Sequence, residues 1–381
     1  MKKLPVIFTA AFVNGVAANA IQYTMIFSAK QDFATGSGHV GALCATLNIF
    51  YVLFCILGRK VLCSLPAITC LKISIAGLFA GTLAMALAPA IWMLYVGIAI
   101  IGSATAFYWP PLMGWLSEGY EGKKLAKISG LYNLCWSSGS IVSPIVGGWL
   151  CDKSPSLAFW VMLATYFALF IFLASVCPKA QSVAPTAPKA ETISGYATTL
   201  RYPAWFGLAV CWFCVTYISF IYPYAAEQLY GFSRTKIGFI ISFRVVAMTV
   251  AVVLIGFLSF WQYKLKWLVL SHLLLAGTML ALGHLQNELL LCIAMALVGV
   301  LTGLGYLSSQ FHGVAGSTNR TLRMSIHENV ISGGYISSGF ICGSLYQHTS
   351  QATVSAVCAG MVGLALLVDL VYWLFRNKLK A

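Results

Sequence analysis

Long apolar runs, each of about 20 residues, recur along the whole chain and constrain its fold more than any other feature. A run of this length crosses the hydrocarbon core of a bilayer as one α-helix. Hydrophobic residues make up 60% of the chain and charged residues 8%, against roughly 45–50% and about 25% in soluble domains. We therefore predict an all-α polytopic membrane protein. Its twelve predicted spans are 5–28, 40–58, 67–87, 90–113, 128–150, 156–176, 202–226, 235–258, 267–284, 288–312, 324–347 and 352–374.

The charges in the loops orient these spans. Lys and Arg outnumber Asp and Glu by 23 to 9. When the loops are assigned alternately to two sides, one side holds 17 basic residues and the other only Lys30, Lys153, Arg234 and Lys236. Basic residues accumulate in cytoplasmic loops, so both termini are expected in the cytoplasm, with the chain in a bacterial inner or plasma membrane. Because the cations lie in short loops, as membrane insertion requires, nucleic acid is not an expected partner.

The chain divides into two similar halves. A hydrophilic stretch rich in Pro, Ala, Ser and Thr reads as a cytoplasmic linker at 178–201, between an N-terminal six-helix half, 1–177, and a C-terminal six-helix half, 202–381. A shift of 196 residues superimposes the fifth span on the eleventh. It aligns Lys127 with Arg323, Asn133 with Asn329, Ser143 with Gly339 and Gly147 with Gly343. A six-plus-six duplication with a site between the halves is a transporter architecture.

The fifth span also carries the best local family pattern, "NLCWSSGSIVSPIVGG", from Asn133 to Gly148. It resembles the fifth-helix pattern of the major facilitator superfamily, and the resemblance extends over all twelve spans. Small residues let helices approach closely, and a proline permits a kink. Ser143 stands where antiporter members usually have glycine. The matching residues are Gly139, Pro144, Gly147 and Gly148.

Other motifs of that family are eroded in this chain. The loop motif after the second span survives as Gly58, Arg59 and Lys60, with Leu62 at about the place of the expected aspartate. The fourth span has Ile98 near the position of the arginine that proton-coupled drug antiporters carry. The resemblance implies alternating access, with spans one, four, seven and ten lining a central cavity. The missing arginine in the fourth span makes a drug/proton antiporter the less favoured alternative.

Arg244 is the most unusual residue, because it lies inside the eighth span. Counted from the start of that apolar run, it is about seven residues, or ~10 Å, deep. A charge near the bilayer centre costs roughly 2.5–3.5 kcal/mol on insertion scales. Two interpretations remain open: the side chain reaches outward or pairs structurally, or it binds an anionic group of a substrate.

Further polar residues in the spans complete the candidate site. Acids are scarce within the spans, which argues against cationic substrates. Glu328 is expected to form a gate or ion-pair network, or to carry a coupled proton, whereas Asp369 is expected to anchor the inner end of its span, facing Arg376. The predicted substrate-binding residues are Arg244, Asn14, Gln22, Tyr108, Trp109, Tyr217, Tyr222 and Gln310. The predicted gating and coupling residues are Glu328, Arg323, Asn133, Pro144, Gly147 and Arg59.

The sequence thus predicts a secondary transporter that moves a small organic solute, anionic or polyhydroxylated, as a monomer in the lipid bilayer. A coupling ion, H⁺ or Na⁺, is an open possibility. Motifs for nucleotide-dependent, hydrolytic or metal-dependent enzymes are not found, so no enzyme activity, cofactor or metal is expected. A non-transporting receptor or sensor on the same fold is the alternative from another class, and an embedded lipid-modifying enzyme comes third.

Overall fold

The computed structural model describes residues 3–58, 64–118, 120, 122–176, 199–317 and 320–378. Within these residues the chain forms twelve long helices, which we number α1 to α12. They are α1 Lys3–Gln31, α2 Ser37–Leu57, α3 Ala67–Ala86, α4 Ile91–Ala106 with Trp109–Ser117, α5 Gly122–Lys153, α6 Pro155–Ser175, α7 Arg201–Thr216 with Tyr217–Ile221 and Tyr222–Tyr230, α8 Arg234–Gly256, α9 Leu265–Leu282, α10 Glu288–Val314, α11 Arg320–His348 and α12 Gln351–Lys378.

Every predicted span coincides with one of these helices, so the all-helical prediction is confirmed. Among the described residues, eleven helices are long and apolar enough to cross a membrane. The remaining one, α11, is more polar, because Glu328, Asn329 and several Ser and Gly residues interrupt its apolar surface. In a chain of this kind, such a helix is suited to face protein or an aqueous cavity rather than lipid.

The helices group into two compact units. The first comprises residues 3–176 with Ala226–Ser242, and the second comprises residues 199–225 with 243–378. In the first unit α1 packs on α5 and α6, and α3 packs on α4 and α6. In the second unit α7 packs on α11 and α12, and α9 packs on α10 and α12. The same pairings recur six helices later, as an internal duplication requires. The exact limits of the two predicted halves stay a prediction.

Small residues of α5 permit close helix contacts inside the first unit. A β-carbon at Gly139 would lie 2.5 Å from the carbonyl oxygen of Phe12 on α1. At Gly147 it would be in ordinary contact, 3.4 Å from Ala20. On the other face, a β-carbon at Gly238 of α8 would overlap the carbonyl oxygen of Pro144. The family-like pattern of α5 thus serves to bring α1 and the beginning of α8 against it.

Replacing Gly238 by alanine tests this packing. The added methyl group collides with main-chain atoms of α5, which cannot move aside as a flexible side chain could, so we expect a loss of about 1–3 kcal/mol in stability. The measurement is the apparent melting temperature of the purified protein in detergent. The matched control is Gly256→Ala on the same helix, where a β-carbon meets nothing within 4 Å. Equal melting temperatures for both variants would contradict the close packing.

Candidate functional site

Arg244 lies halfway along α8. It is ten residues beyond Arg234, where this 23-residue helix begins, so it is about 15 Å from the helix start at 1.5 Å per residue. The predicted depth of ~10 Å is counted from the start of the apolar run at Ile237, three residues further along the helix. Arg244 is 8% exposed. Since a bilayer core is about 30 Å thick, both counts place the charge well inside the membrane-spanning part of α8.

The Arg244 guanidinium has few partners. Nη2 lies 3.4 Å from the Ser219 hydroxyl oxygen of α7, at the long limit of a hydrogen bond. Nε is buried and has no acceptor among the described residues. Among the described residues, no carboxylate oxygen lies within 4.0 Å of the Arg244 guanidinium, so it forms no ion pair there. Tyr335 of α11 is close enough to interact with it electrostatically. We call Arg244, Ser219 and Tyr335 the Arg244 site.

A wide helical turn in α7 positions Ser219. Residues Tyr217–Ile221 form a π-helix, in which the N–H of Tyr222 donates to the carbonyl of Tyr217. Pro223 explains the widening, because it has no N–H to offer the Ser219 carbonyl and its ring would clash with that group in an α-helix. Single π-turns inside α-helices are frequent at functional sites. Pro223 is the signal in the sequence that could have indicated this turn.

The Arg244 position has a counterpart in the first unit. A β-carbon at Gly102 of α4 would overlap the carbonyl oxygen of Leu47 on α2. In the second unit, a β-carbon at Gly299 of α10 would overlap the carbonyl oxygen of Arg244 on α8. Gly299 lies 197 residues after Gly102, and Arg244 lies 197 residues after Leu47. Arg244 therefore replaces Leu47 in the duplicated fold, and the charge is a property of the second unit.

A second polar group in the same unit surrounds Tyr306 of α10. Gln310 Nε2 donates to the Tyr306 hydroxyl at 2.9 Å, and the Trp212 ring lies 5.6 Å from the Tyr306 ring. Glu328 of α11 interacts electrostatically with Tyr306. Glu328 itself is exposed and forms no ion pair within the described part of the chain. It lies seven residues before Tyr335, so both occupy about the same face of α11 roughly 10 Å apart.

Other predicted site residues of the second unit have protein partners. The Tyr217 hydroxyl lies 3.0 Å from Ser355 Oγ of α12, and Tyr222 is fully buried. The Arg323 guanidinium lies over the Trp205 ring, 5.8 Å from its centroid. These contacts join α7 to α12 and to α11, the helix that carries Glu328.

The predicted residues of the first unit are more dispersed. Asn14 is buried and accepts a hydrogen bond from the Tyr166 hydroxyl at 3.3 Å. Tyr108 is buried and its ring lies 4.9 Å from that of Trp109. Gln22 is partly exposed and Asn133 is exposed. Arg59 lies outside the described residues.

Asp369 has a partner on another helix. Its Oδ2 lies 2.8 Å from Nδ1 of His272, and both side chains are 1% exposed. The packing of α9 on α12 brings the two together. The sequence analysis missed His272 because it considered only neighbours on the same helix. The side chain of Arg376 lies outside the described residues, so the expected anchor role facing it stays a prediction.

A dense group of charged side chains, which the sequence analysis missed, lies in the first unit. Lys30 Nζ is 2.6 Å from Glu227 Oε2, and Arg234 Nε is 2.8 Å from Glu227 Oε1. The main-chain N–H of Arg234 donates to Asp152 Oδ1 at 2.8 Å. We call Lys30, Asp152, Glu227 and Arg234 the outer cluster, since they lie at the predicted outer ends of α1, α5, α7 and α8. The sequence signal that could have indicated this cluster is the small number of charged residues on the predicted outer side.

The remaining donors of Arg234 are also satisfied. Nη1 donates to the Cys151 carbonyl at 2.8 Å, and Nη2 donates to Gln31 Oε1 at 2.8 Å. The guanidinium also lies over the Phe27 ring, 4.7 Å from its centroid. Charge-assisted hydrogen bonds of this kind are roughly twice as strong as neutral ones. The outer cluster therefore binds the ends of four helices together.

Comparison with known proteins identifies the family. The chain matches the model of the Major Facilitator Superfamily over residues 7–312. Since this is more than half of its length, the chain belongs to that superfamily. No curated protein matches its sequence. The protein is thus a secondary transporter of a small solute and an integral, multi-pass membrane protein.

Solved structures show the same fold at low sequence identity. The nucleoside transporter NupG superimposes with a TM-score of 0.79 at 14% identity, covering 98% of this chain and 99% of that one. A bacterial homolog of the human lysosomal transporter Spinster gives 0.73 at 13%, covering 98% and 94%. A POT family transporter in complex with 5-aminolevulinic acid gives 0.74 at 13%, covering 100% and 97%. The fold prediction is confirmed.

If the outer cluster holds these helix ends closed, Cys151, which is 1% exposed, is protected from reagents in the aqueous phase. Arg234→Gln removes the side-chain contacts to Glu227 and to the Cys151 carbonyl. Hydrogen bonds to charged groups contribute about 1.5–3 kcal/mol, so we expect labelling of Cys151 by a membrane-impermeant maleimide to accelerate about tenfold or more. Mass spectrometry of peptides locates the label.

Lys153→Gln is the matched control. Lys153 is exposed and its ammonium group lies over the Trp149 ring. We expect this variant to leave Cys151 as protected as in the unmodified protein. Unchanged labelling in Arg234→Gln would mean that the outer cluster does not hold these helix ends closed.

Proposed function

We propose that the transported solute carries an anionic group, such as a carboxylate, that binds to Arg244. The observation that carries this proposal is a guanidinium buried halfway along a membrane-spanning helix, with one weak hydrogen bond and no carboxylate partner in the described structure. Placing such a charge in a bilayer costs several kcal/mol unless a counter-charge offsets it. A substrate anion supplies that counter-charge during each transport cycle.

The chemistry of the Arg244 site favours an anion over a neutral polyhydroxylated solute. A guanidinium presents a planar set of donors that matches a carboxylate or phosphate with two parallel hydrogen bonds. The Ser219 hydroxyl can donate a further hydrogen bond. At low dielectric the attraction between opposite charges is much stronger than in water, so an anion gains more here than a sugar hydroxyl does.

Glu328 is the proposed coupling residue. It is exposed, has no ion-pair partner among the described residues, and shares a face of α11 with Tyr335 of the Arg244 site. A carboxylate in that position can take up a proton together with the anionic solute, so that the pair moves with reduced net charge. This role favours H⁺ over Na⁺ as the coupling ion.

The outer cluster is the proposed outer gate of the alternating-access cycle. Access from the outer side requires the ends of α7 and α8 to separate from α1 and α5, and the Glu227 and Arg234 contacts hold these ends together. The loop charges support cytoplasmic termini. We further propose that the protein acts as a monomer and catalyses no chemical reaction.

Arg244→Gln tests the substrate class. The expected result is uptake of an anionic solute reduced about tenfold to a hundredfold, the equivalent of a lost charge-assisted hydrogen bond of about 1.5–3 kcal/mol. Uptake is measured in proteoliposomes with pairs of solutes that differ only in a carboxylate and its amide. Arg244→Lys keeps the charge but loses the two-pronged geometry, so it should retain a small part of the activity.

Lys236→Gln is the control, because it removes a positive charge near the start of the same helix. It should transport as well as the unmodified protein. If Arg244→Gln also transports every carboxylate normally, the proposed substrate site is wrong. If the unmodified protein binds such solutes without moving any of them, the chain acts as a receptor instead.

Glu328→Gln tests coupling separately. The amide cannot exchange a proton, so uptake driven by a pH gradient should be lost, while exchange of labelled for unlabelled solute continues. Glu288→Gln, at the exposed start of α10, is the control and should keep both activities. Gradient-driven uptake by Glu328→Gln would exclude Glu328 as the coupling group.

A further inference from the structure

A small cavity lies beside the beginning of α9 in the second unit, apart from the Arg244 site. Polar side chains from the α8–α9 connection, α9 and α10 line it, namely Lys264, Trp267, Ser308 and His312. Its volume is about 10 Å³, which is room for one water-sized group such as a single oxygen atom.

The cavity wall presents hydrogen-bond donors without partners. Trp267 Nε1 and His312 Nδ1 are buried, and neither has a hydrogen-bond partner among the described residues. His312 is 4% exposed. An indole nitrogen can only donate, and a histidine Nδ1 donates in one of its two neutral tautomers. No carboxylate is among the lining residues. The cavity is therefore suited to an acceptor atom.

The start of α9 adds positive charge to the same place. This helix is 18 residues long, and its N-cap residue, Lys264, provides no side-chain acceptor for the first N–H groups. Unpaired N–H groups and the helix dipole make such an end attractive to anions. Lys264 is also one of the residues that line the cavity. Helix, lysine, indole and imidazole thus favour the same kind of ligand.

Aromatic packing holds this end of α9 in place. Tyr263 adopts a left-handed backbone conformation, with φ of 57°, and its ring lies 5.8 Å from that of His312. The Trp261 ring lies 6.3 Å from His312 and donates its own N–H to the Ile255 carbonyl at 3.0 Å. The His312 imidazole on the cavity wall is therefore packed against two aromatic rings.

We propose that this cavity binds one anionic oxygen of a phosphate group. The neighbouring residues Phe257 and Leu258 are exposed, Phe257 by 86%, as expected of side chains that contact lipid in a membrane protein. A phospholipid headgroup at the membrane boundary and a free phosphate from the adjoining aqueous phase offer the same oxygen. Basic pockets at transmembrane helix ends recognise anionic headgroups by this chemistry.

Native mass spectrometry of the full-length protein, freed of lipid in detergent, tests the proposal. The probes are phosphatidylglycerol, phosphatidylcholine and inorganic phosphate, the last also followed by thermal shift. We expect phosphatidylglycerol to bind more tightly than phosphatidylcholine. Lys264→Gln and Trp267→Phe should each weaken that binding about fivefold, whereas Lys266→Gln, which removes an adjacent exposed charge outside the cavity, should change it little.

The probes separate the two sources of phosphate. Preferential binding of phosphatidylglycerol assigns the cavity to a lipid, and stabilisation by inorganic phosphate alone assigns it to a soluble anion. In either case the lipid binding or the stabilisation by phosphate must decrease in Lys264→Gln and persist in Lys266→Gln. Lipid binding that is unchanged in both Lys264→Gln and Trp267→Phe, or that falls equally in both lysine variants, together with no response to inorganic phosphate, would overturn the proposal. Melting temperatures without ligand establish that each variant is folded.

Discussion

The structure depends on how charges are compensated where water is absent. Two arginines on α8, ten residues apart, illustrate the constraint. Arg234 lies at the helix start and uses its guanidinium on Glu227, Gln31 and the Cys151 carbonyl. Arg244 lies halfway along the helix and has one long contact, to Ser219. A charge that is fully paired stabilises one conformation of the protein. A buried charge that is poorly paired is suited to a ligand that comes and goes.

The same two helices carry both sets of residues. α7 contributes Ser219 and Glu227, and α8 contributes Arg244 and Arg234. The π-turn of α7, Tyr217–Ile221, contains Ser219 and precedes Glu227, and it is the point at which the helix departs from regular geometry. Under the proposed function, opening of the outer cluster moves the two helices that carry the Arg244 site.

Hydropathy was sufficient to predict the twelve helices, because a bilayer imposes a fixed length of apolar residues on each. It also located Arg244 inside the eighth helix. The outer cluster was not predicted, since Lys30 and Glu227 are far apart in sequence and only tertiary packing brings them together. The partner of Asp369, His272, was missed for the same reason. Sequence periodicity specifies which face of a helix is polar, whereas partners between helices require the packing itself.

Protection of Arg244 from an arginine-specific reagent tests the central claim most directly. The full-length protein is treated with phenylglyoxal in the presence of small carboxylates, phosphate esters or their neutral analogues, and modified arginines are located by mass spectrometry of peptides. We predict that at least one anion, and none of the neutral analogues, slows modification of Arg244 while leaving that of Arg234 unchanged. If Arg244 reacts at the same rate with every anion as without it, Arg244 does not bind the substrate and the proposed site is wrong.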